Sequence, residues 1–219
     1  MLGLMQDQPL LISSLIEFAA RCHGDTEIVS RRVEGDIHRY TYRDARVRAK
    51  KVAEALLGLG IKTGDRIGTL AWNGYRHFEL YFGISGIGAV CHTINPRLSV
   101  EQMRYIVNDA ADSAIFFDLT FADQMKSLAG TVKSVRAFVA LADADCTAKL
   151  DPAIGALSYE DMLSAAKDGY IFPEFDENAA ASLCYTSGTT GNPKGVLYSH
   201  RALVLHSFGL VANFWLNAE

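Results

Sequence analysis

The sequence lacks an apolar run long enough to cross a membrane. Its two longest stretches without Asp, Glu, Lys or Arg cover residues 80–96 and 202–218, and both are interrupted by glycine, asparagine, histidine or proline. Each falls short of the roughly 20 apolar residues that a spanning helix requires. Residues 1–9 also lack the basic start and the apolar core of a secretion signal. We therefore expect a cytoplasmic protein without a transmembrane segment.

An excess of positive charge is also absent, and so is any cluster of cysteines. The chain has 21 Lys and Arg against 25 Asp and Glu, a net charge of −4. Because proteins that bind nucleic acid usually carry a basic surface, we predict no nucleic-acid partner. Cys22, Cys91, Cys146 and Cys184 stand far apart, with no C-x-x-C pair and no histidine at metal-ligand spacing. This spacing favours buried thiols in a reducing compartment over a metal site.

Alternating helix and strand patterns run through most of the chain. Thr41 followed by Asp44 is typical of a helix start, and the pattern behind it predicts a helix to about residue 57. Further strand and helix patterns alternate over 65–71, 75–87, 89–94, 99–108, 113–117, 121–129 and 135–141. The acidic stretch 142–155 is predicted to be a surface loop. The alternation predicts an α/β fold with a mostly parallel sheet flanked by helices on both faces.

The most unusual stretch is residues 185–195, which read Tyr-Thr-Ser-Gly-Thr-Thr-Gly-Asn-Pro-Lys-Gly. The apolar run 179–185 before it predicts a buried strand, and residues 196–199 after it predict a second strand or the approach to a helix. Glycine lets backbone N–H groups come close to a phosphate, and hydroxyl groups add further donors. Lys194 adds a mobile positive charge. The stretch is therefore a candidate phosphate-binding loop.

This loop does not follow the nucleoside-triphosphate pattern G-x-x-x-x-G-K-[ST]. Lys194 is preceded by Pro193 and followed by Gly195, so the hydroxyl that binds the metal after the lysine is missing. In parallel sheets, ligands bind beyond the carboxyl ends of the strands. Because the loop follows a predicted strand, we expect it at that edge of the sheet.

Residues 185–196, together with Ser199-His200-Arg201, resemble the signature loop of the adenylate-forming (AMP-binding) family. Residues 72–79 and 91–98 are similar to the fatty acyl-CoA ligase branch, particularly to medium- and long-chain acyl-CoA synthetases and methylmercaptopropionate-CoA ligases. The resemblance covers nearly the whole chain. It implies that residues 1–219 form the N-terminal part of the large domain, without the remaining large-domain segments and the C-terminal domain.

The resemblance implies an ATP-dependent acid–thiol ligase. In that family a carboxylate attacks the α-phosphorus of ATP, which gives an acyl-adenylate and pyrophosphate, and the thiol of coenzyme A then displaces AMP. The resemblance implies ATP, Mg²⁺ and coenzyme A as cofactor and co-substrates, and a fatty acid as the carboxylic acid. Lys194 would be catalytic, by neutralising the leaving pyrophosphate, and the hydroxyl of Thr186 would be a magnesium ligand. The ATP- or pyrophosphate-binding residues implied are Thr186, Ser187, Gly188, Thr189, Thr190, Gly191 and Lys194.

Three alternatives stay open at the level of the sequence. The first is that the chain as it stands is inactive on its own and serves as a non-catalytic nucleotide- or pyrophosphate-binding module, because the segments that complete the family's active site are absent. The second is that the chain belongs to an adenylation domain for another carboxylic acid, as in peptide synthetases. The third alternative is a structural fragment that buries the apolar stretch 208–216 in a homodimer.

Overall fold

The computed structural model describes residues 1, 3–5, 7–186 and 192–214. The helices are α1 (Ile12–Cys22), α2 (Tyr42–Gly58), α3 (Tyr75–Gly86), α4 (Val100–Ala110), α5 (Ala122–Leu128), α6 (Ala144–Thr147), α7 (Tyr159–Ala165) and α8 (His200–Phe214). The strands are β1 (Glu27–Arg31), β2 (Ile37–Thr41), β3 (Arg66–Leu70), β4 (Val90–Thr93), β5 (Ala114–Phe117), β6 (Ala137–Ala140), β7 (Leu157–Ser158), β8 (Ala180–Thr186) and β9 (Lys194–Ser199).

Seven strands form one sheet in the order β7-β6-β5-β3-β4-β8-β9. All pairs from β7 to β8 are parallel, and β9 closes one edge antiparallel to β8. The remaining two strands, β1 and β2, form a separate antiparallel hairpin. The prediction of a mostly parallel sheet is confirmed, and the carboxyl ends of its parallel strands meet at one edge.

Helices cover both faces of this sheet, and the inner strand β5 shows why, since it is apolar at every position. On β5, Ala114 and Phe116 belong to a buried cluster with side chains of α2, α3 and α7. The alternate residues Ile115 and Phe117 belong to a second cluster with side chains of α4 and α5. Successive side chains of a strand point to opposite faces, so a strand this apolar requires cover on both sides. The fold is therefore a three-layer arrangement of helices, sheet and helices.

The start of α2 at Thr41 was correctly predicted from local chemistry, and α4 begins with the same kind of contact. Thr41 and Asp44 form a reciprocal capping box at the start of α2, and Ser99 and Gln102 form another at α4. In each box, the cap hydroxyl accepts a hydrogen bond from a backbone N–H while the later side chain accepts one from the cap residue. These contacts satisfy N–H groups that have no partner within the helix.

The basic residues of α2 are balanced by carboxylates of the same chain. Arg43 pairs with Asp25, Arg46 and Lys50 with Glu17, Arg48 with Glu79 and Glu160, and Lys51 with Asp168. Glu79 is fully buried and accepts hydrogen bonds from both Arg48 and the Tyr159 hydroxyl, each at 2.7 Å. These pairs connect α2 to α3 and α7. The basic face of α2 is therefore occupied by ion pairs within the chain.

The structure corrects two details of the sequence analysis. The stretch 142–155 was predicted to be a surface loop, but it contains α6 and a 3-10 turn, and Ile154 is buried against α5 side chains. Buried thiols were predicted, yet Cys22 is exposed and only Cys91 is fully buried among the four cysteines. None of the helices within the described ranges is long and apolar enough to cross a membrane.

The start of α1 is tied to a segment far along the chain. The Leu10 N–H donates to Glu177 Oε2 at 2.7 Å, and the Ile12 N–H donates to His200 Nδ1 at 3.2 Å. Arg201 in turn pairs with Glu177. Free N–H groups at a helix start need acceptors, and a carboxylate there is also favoured by the helix dipole. We call these contacts the N-terminal clamp; they join α1 to the first turn of α8.

The contact between α2 and α3 depends on Gly83. A Cβ atom at this position would lie 2.4 Å from Val52 Cγ1 and 2.9 Å from the Ala49 carbonyl oxygen. We predict that Gly83→Ala lowers the free energy of unfolding by about 1–3 kcal/mol, because the two helices must separate. Gly58→Ala is the control, since a Cβ there meets nothing within 4 Å, and its stability should be unchanged or slightly higher. Urea unfolding followed by circular dichroism measures both; equal stabilities would contradict this packing.

The N-terminal clamp predicts a dependence of stability on pH. Burial lowers the pKa of His200 to about 4, whereas an unfolded histidine titrates near 6.5. Between these values only the unfolded chain binds the proton, so lowering the pH lowers the free energy of unfolding. The loss is about 1.4 kcal/mol per pH unit, or roughly 3 kcal/mol in total.

The control for this prediction is His200→Asn, which keeps an acceptor but does not titrate. The difference in unfolding free energy between wild type and variant should shrink by roughly 3 kcal/mol from pH 7 to pH 4. Other groups with shifted pKa values, such as His38, His77 and Asp118, cancel in this difference. Parallel stability profiles would show that His200 is not held neutral.

Candidate functional site

The described residues of the signature segment, 185–186 and 192–196, lie at the ends of two antiparallel strands that pair at the sheet edge, which we call the signature hairpin. Thr186 is the last residue of β8, Lys194 is the first residue of β9, and the two are register partners. The other predicted phosphate-binding residues lie outside the described residues, so their role stays a prediction. They are Ser187, Gly188, Thr189, Thr190 and Gly191.

The two described residues of the predicted site are both exposed. Lys194 forms no ion pair with any carboxylate in the described part of the chain, and its backbone is fixed by pairing with Thr186. An ammonium group and a hydroxyl that have no side-chain partner among the described residues suit an anion that carries oxygen acceptors. The structure thus brings together the two residues to which the sequence assigned catalysis and metal binding.

Tyr185 connects this hairpin to the helix layer. Its hydroxyl donates to Asp109 Oδ2 at 2.6 Å, and its ring lies 5.2 Å from the imidazole of His92, centre to centre. Burial and the neighbouring Asp109 carboxylate raise the pKa of the Tyr185 hydroxyl well above its usual range. The hydroxyl therefore stays protonated at neutral pH and acts as a hydrogen-bond donor.

A buried acid–histidine pair lies beside Tyr185. His92 Nδ1 is 2.8 Å from Asp112 Oδ2, and both side chains are inaccessible to solvent. A Cβ atom at Gly68 would lie 3.1 Å from the same carboxylate oxygen, so the pair packs tightly against this central strand. The sequence analysis missed this pair because its members lie 20 residues apart in separate elements.

Other side chains end at the same edge as the signature hairpin. Asp118 follows β5 and accepts a hydrogen bond from the Trp72 N–H at 2.6 Å, and burial raises the pKa of Asp118 to about 6. His77 lies 3.1 Å from Thr69 Oγ1. After β4, the exposed Arg97 is held at its backbone, where its N–H donates to the Asn95 side chain at 3.0 Å. The position of Asp118 directly after a predicted strand was the signal that could have identified it.

The described part of this site offers little to a metal ion on its own. No group of three or more His, Cys, Asp or Glu side chains suited to a metal occurs in residues 7–186 and 192–214. Mg²⁺ prefers carboxylates, water and phosphate oxygens, and here the predicted ligand is the single hydroxyl of Thr186. These residues fit Mg²⁺ only if other oxygen ligands, such as those of a polyphosphate, complete its shell.

Two characterised relatives are similar to this chain over nearly its whole length. The medium-chain-fatty-acid–CoA ligase of Ectopseudomonas oleovorans is 48% identical over 207 residues, which cover 94% of this chain and 38% of the relative. The 3-methylmercaptopropionyl-CoA ligase of Ruegeria lacuscaerulensis is 50% identical over 208 residues, which cover 95% of this chain and 38% of the relative. The chain therefore spans well under half the length of these relatives.

The fold is shared with solved adenylate-forming enzymes. The crystal structure of the anthranilate CoA ligase AuaEII in complex with anthranoyl-AMP superposes with a TM-score of 0.78 at 23% identity, covering 96% of this chain and 38% of that chain. The sequence model of the AMP-binding enzyme family matches residues 16–218. Because this family model matches almost the entire length of the chain, the chain belongs to the AMP-binding enzyme family.

Proposed function

We propose that this chain is the phosphate-binding part of an ATP-dependent acyl-CoA synthetase that activates a fatty acid through an acyl-adenylate. The observation that carries the proposal is the identity of 48–50%, over 94–95% of the chain, to ligases named for medium-chain fatty acids and 3-methylmercaptopropionate. A long-chain-fatty-acid–CoA ligase of Thermus thermophilus, 42% identical, supports the same substrate class. Because the chain spans 38% of the first two relatives, the complete reaction is proposed for a longer protein.

In this proposal the signature hairpin binds the leaving group. An oxygen of the fatty acid carboxylate forms a bond to the α-phosphorus of ATP while the bond to the bridging oxygen breaks and pyrophosphate departs. Lys194 neutralises the charge that develops on pyrophosphate, and hydroxyl and N–H groups of residues 186–191 donate hydrogen bonds to it. Mg²⁺, carried in with the phosphates and touched by the Thr186 hydroxyl, would supply further neutralisation.

The remaining parts of the proposal concern the second half-reaction, the cellular location and the oligomeric state. Coenzyme A is the proposed acceptor, because the relatives named above are CoA ligases. A cytoplasmic location is proposed because Cys22, Cys91, Cys146 and Cys184 are all free thiols, which persist in reducing compartments. A homodimer is proposed from the exposed apolar side chains of α8, including Phe208 and Val211.

A second candidate function is a non-catalytic module that binds pyrophosphate or nucleotide. It is favoured by the exposed Lys194 opposite Thr186, because this pair suits an anion whether or not a reaction follows. The two functions differ in one measurable outcome. The chain is mixed with ATP, Mg²⁺ and a panel of fatty acids, with and without coenzyme A, and acid-dependent pyrophosphate release is followed. Release supports catalysis by the chain itself, whereas binding without release supports the module.

We predict that Lys194→Ala weakens the binding of pyrophosphate by about 10- to 100-fold. The expected loss of a hydrogen bond to a charged group is about 1.5–3 kcal/mol, and 1.4 kcal/mol corresponds to a factor of ten. Isothermal titration of the 219-residue chain with pyrophosphate, at constant ionic strength, measures the change.

Lys133→Ala is the matched control for this prediction. Lys133 is also exposed and without an ion pair in the described structure, but it precedes β6, at the opposite edge of the sheet. Its removal changes the net charge equally and should leave the affinity within about twofold of wild type. Equal affinities for wild type and Lys194→Ala would reject the role of Lys194.

A further inference from the structure

We propose that Tyr185 is a positioning residue: it fixes the stem of the signature hairpin to α4 and so keeps Thr186 and Lys194 opposite each other. Its effect on ligand binding rests on the proposed function, whereas its effect on the hairpin does not. Three contacts of one side chain carry the inference. They are the hydrogen bond to Asp109, the packing against Gly195 and the contact with His92.

The hydrogen bond joins the hairpin to a separate element. Asp109 lies near the end of α4 and 76 residues before Tyr185, so the contact at 2.6 Å links two parts of the chain that no local structure connects. Hydrogen bonds to a carboxylate are shorter and stronger than those between neutral groups. Because the hydroxyl of Tyr185 stays protonated, it can serve as the donor throughout the neutral range.

The ring of Tyr185 also contacts the partner strand. Tyr185 and Gly195 are register partners on β8 and β9. A Cβ atom at Gly195 would lie 3.2 Å from the Tyr185 ring atom Cζ and 3.1 Å from Leu183 Cδ1. Gly195 does not have the positive φ that would by itself require glycine. A side chain at Gly195 would therefore crowd the ring, which lies close to the β9 backbone directly next to Lys194.

The third contact gives the ring a rigid neighbour. The His92 imidazole is buried and held by two oxygens of Asp112, at 2.8 Å and 3.0 Å. A side chain on a central strand that is fixed in this way restricts the positions open to Tyr185. The ring is therefore confined by β9, by the His92–Asp112 pair and by α4.

The hairpin needs this anchor because the beginning of β9 has little else to hold it, while the N-terminal clamp acts only after its last residue. Its first five residues are exposed, and only Ser199 is partly covered. The strand is held by the backbone pairing with β8, and an exposed edge strand with few buried contacts opens easily. Tyr185 adds a side-chain contact across this pair at the position where the predicted phosphate-binding residues begin and end.

The test compares Tyr185→Phe with Tyr198→Phe. Both changes remove one hydroxyl from the same hairpin, but Tyr198 is exposed, and its hydroxyl forms no hydrogen bond to the described residues. In the ligand-free chain, hydrogen exchange of the β9 amides should be about three- to tenfold faster in Tyr185→Phe. Exchange in the β1–β2 hairpin should not change, and Tyr198→Phe should match wild type.

The second readout is the affinity for pyrophosphate. Tyr185→Phe should raise Kd by about three- to tenfold, and Asp109→Ala should have a similar effect. The double variant should be no weaker than Asp109→Ala alone, because both changes remove the same hydrogen bond. If wild type binds no pyrophosphate, the proposed function fails while the exchange experiment still tests the anchor.

Two results would overturn the inference. In the first, Tyr185→Phe and Tyr198→Phe give the same exchange rates in β9. In the second, exchange in Tyr185→Phe rises equally in β9 and in the β1–β2 hairpin, which would mean a general loss of stability. Faster exchange confined to β9 supports the positioning role.

Discussion

The parallel pairing of β4 with β8 determines where the functional residues meet. Cys91, His92 and Thr93 pair with Ser182, Leu183 and Cys184, although about 90 residues separate the two strands. Because the pairing is parallel, β8 ends at the same edge as β3, β4 and β5. If the strand paired in the opposite direction, Thr186 would lie at the other edge. The signature hairpin, Asp118 and the Asn95–Arg97 turn share a region only through this pairing.

Tyr185 and the N-terminal clamp secure the signature hairpin from two sides. Tyr185 joins the inner strand β8 to α4. His200, the residue directly after the outer strand β9, joins that strand to α1. The basic face of α2, in contrast, is occupied by carboxylates of the same chain and has no charge left for a phosphate. Lys194 differs from those residues in being free of such a pair within the described structure. The distribution of ion pairs thus separates charges that build the fold from charges open to a ligand.

The features that depend on local chemistry were the ones that sequence alone could predict. The helix start at Thr41, the alternation of strands and helices, and the glycine- and hydroxyl-rich loop each involve residues close together in the chain. The sequence could not predict the strand order, and so it missed the His92–Asp112 pair and the Tyr185–Asp109 bond. The stretch 142–155 was wrongly predicted to be a surface loop because its acidic residues indicated exposure. Ile154 of this stretch nevertheless packs into the core beside α5.

The N-terminal clamp also has a consequence for the order of folding. The contact between Ile12 and His200 closes a loop of 188 residues, and the entropy lost on closing a loop rises with its length. Contacts of such long sequence separation slow folding, because the chain is ordered before they contribute. During synthesis, α1 emerges before α8 and cannot complete its start until residue 200 has followed. The outer end of the signature hairpin is therefore among the last parts of the chain to be fixed.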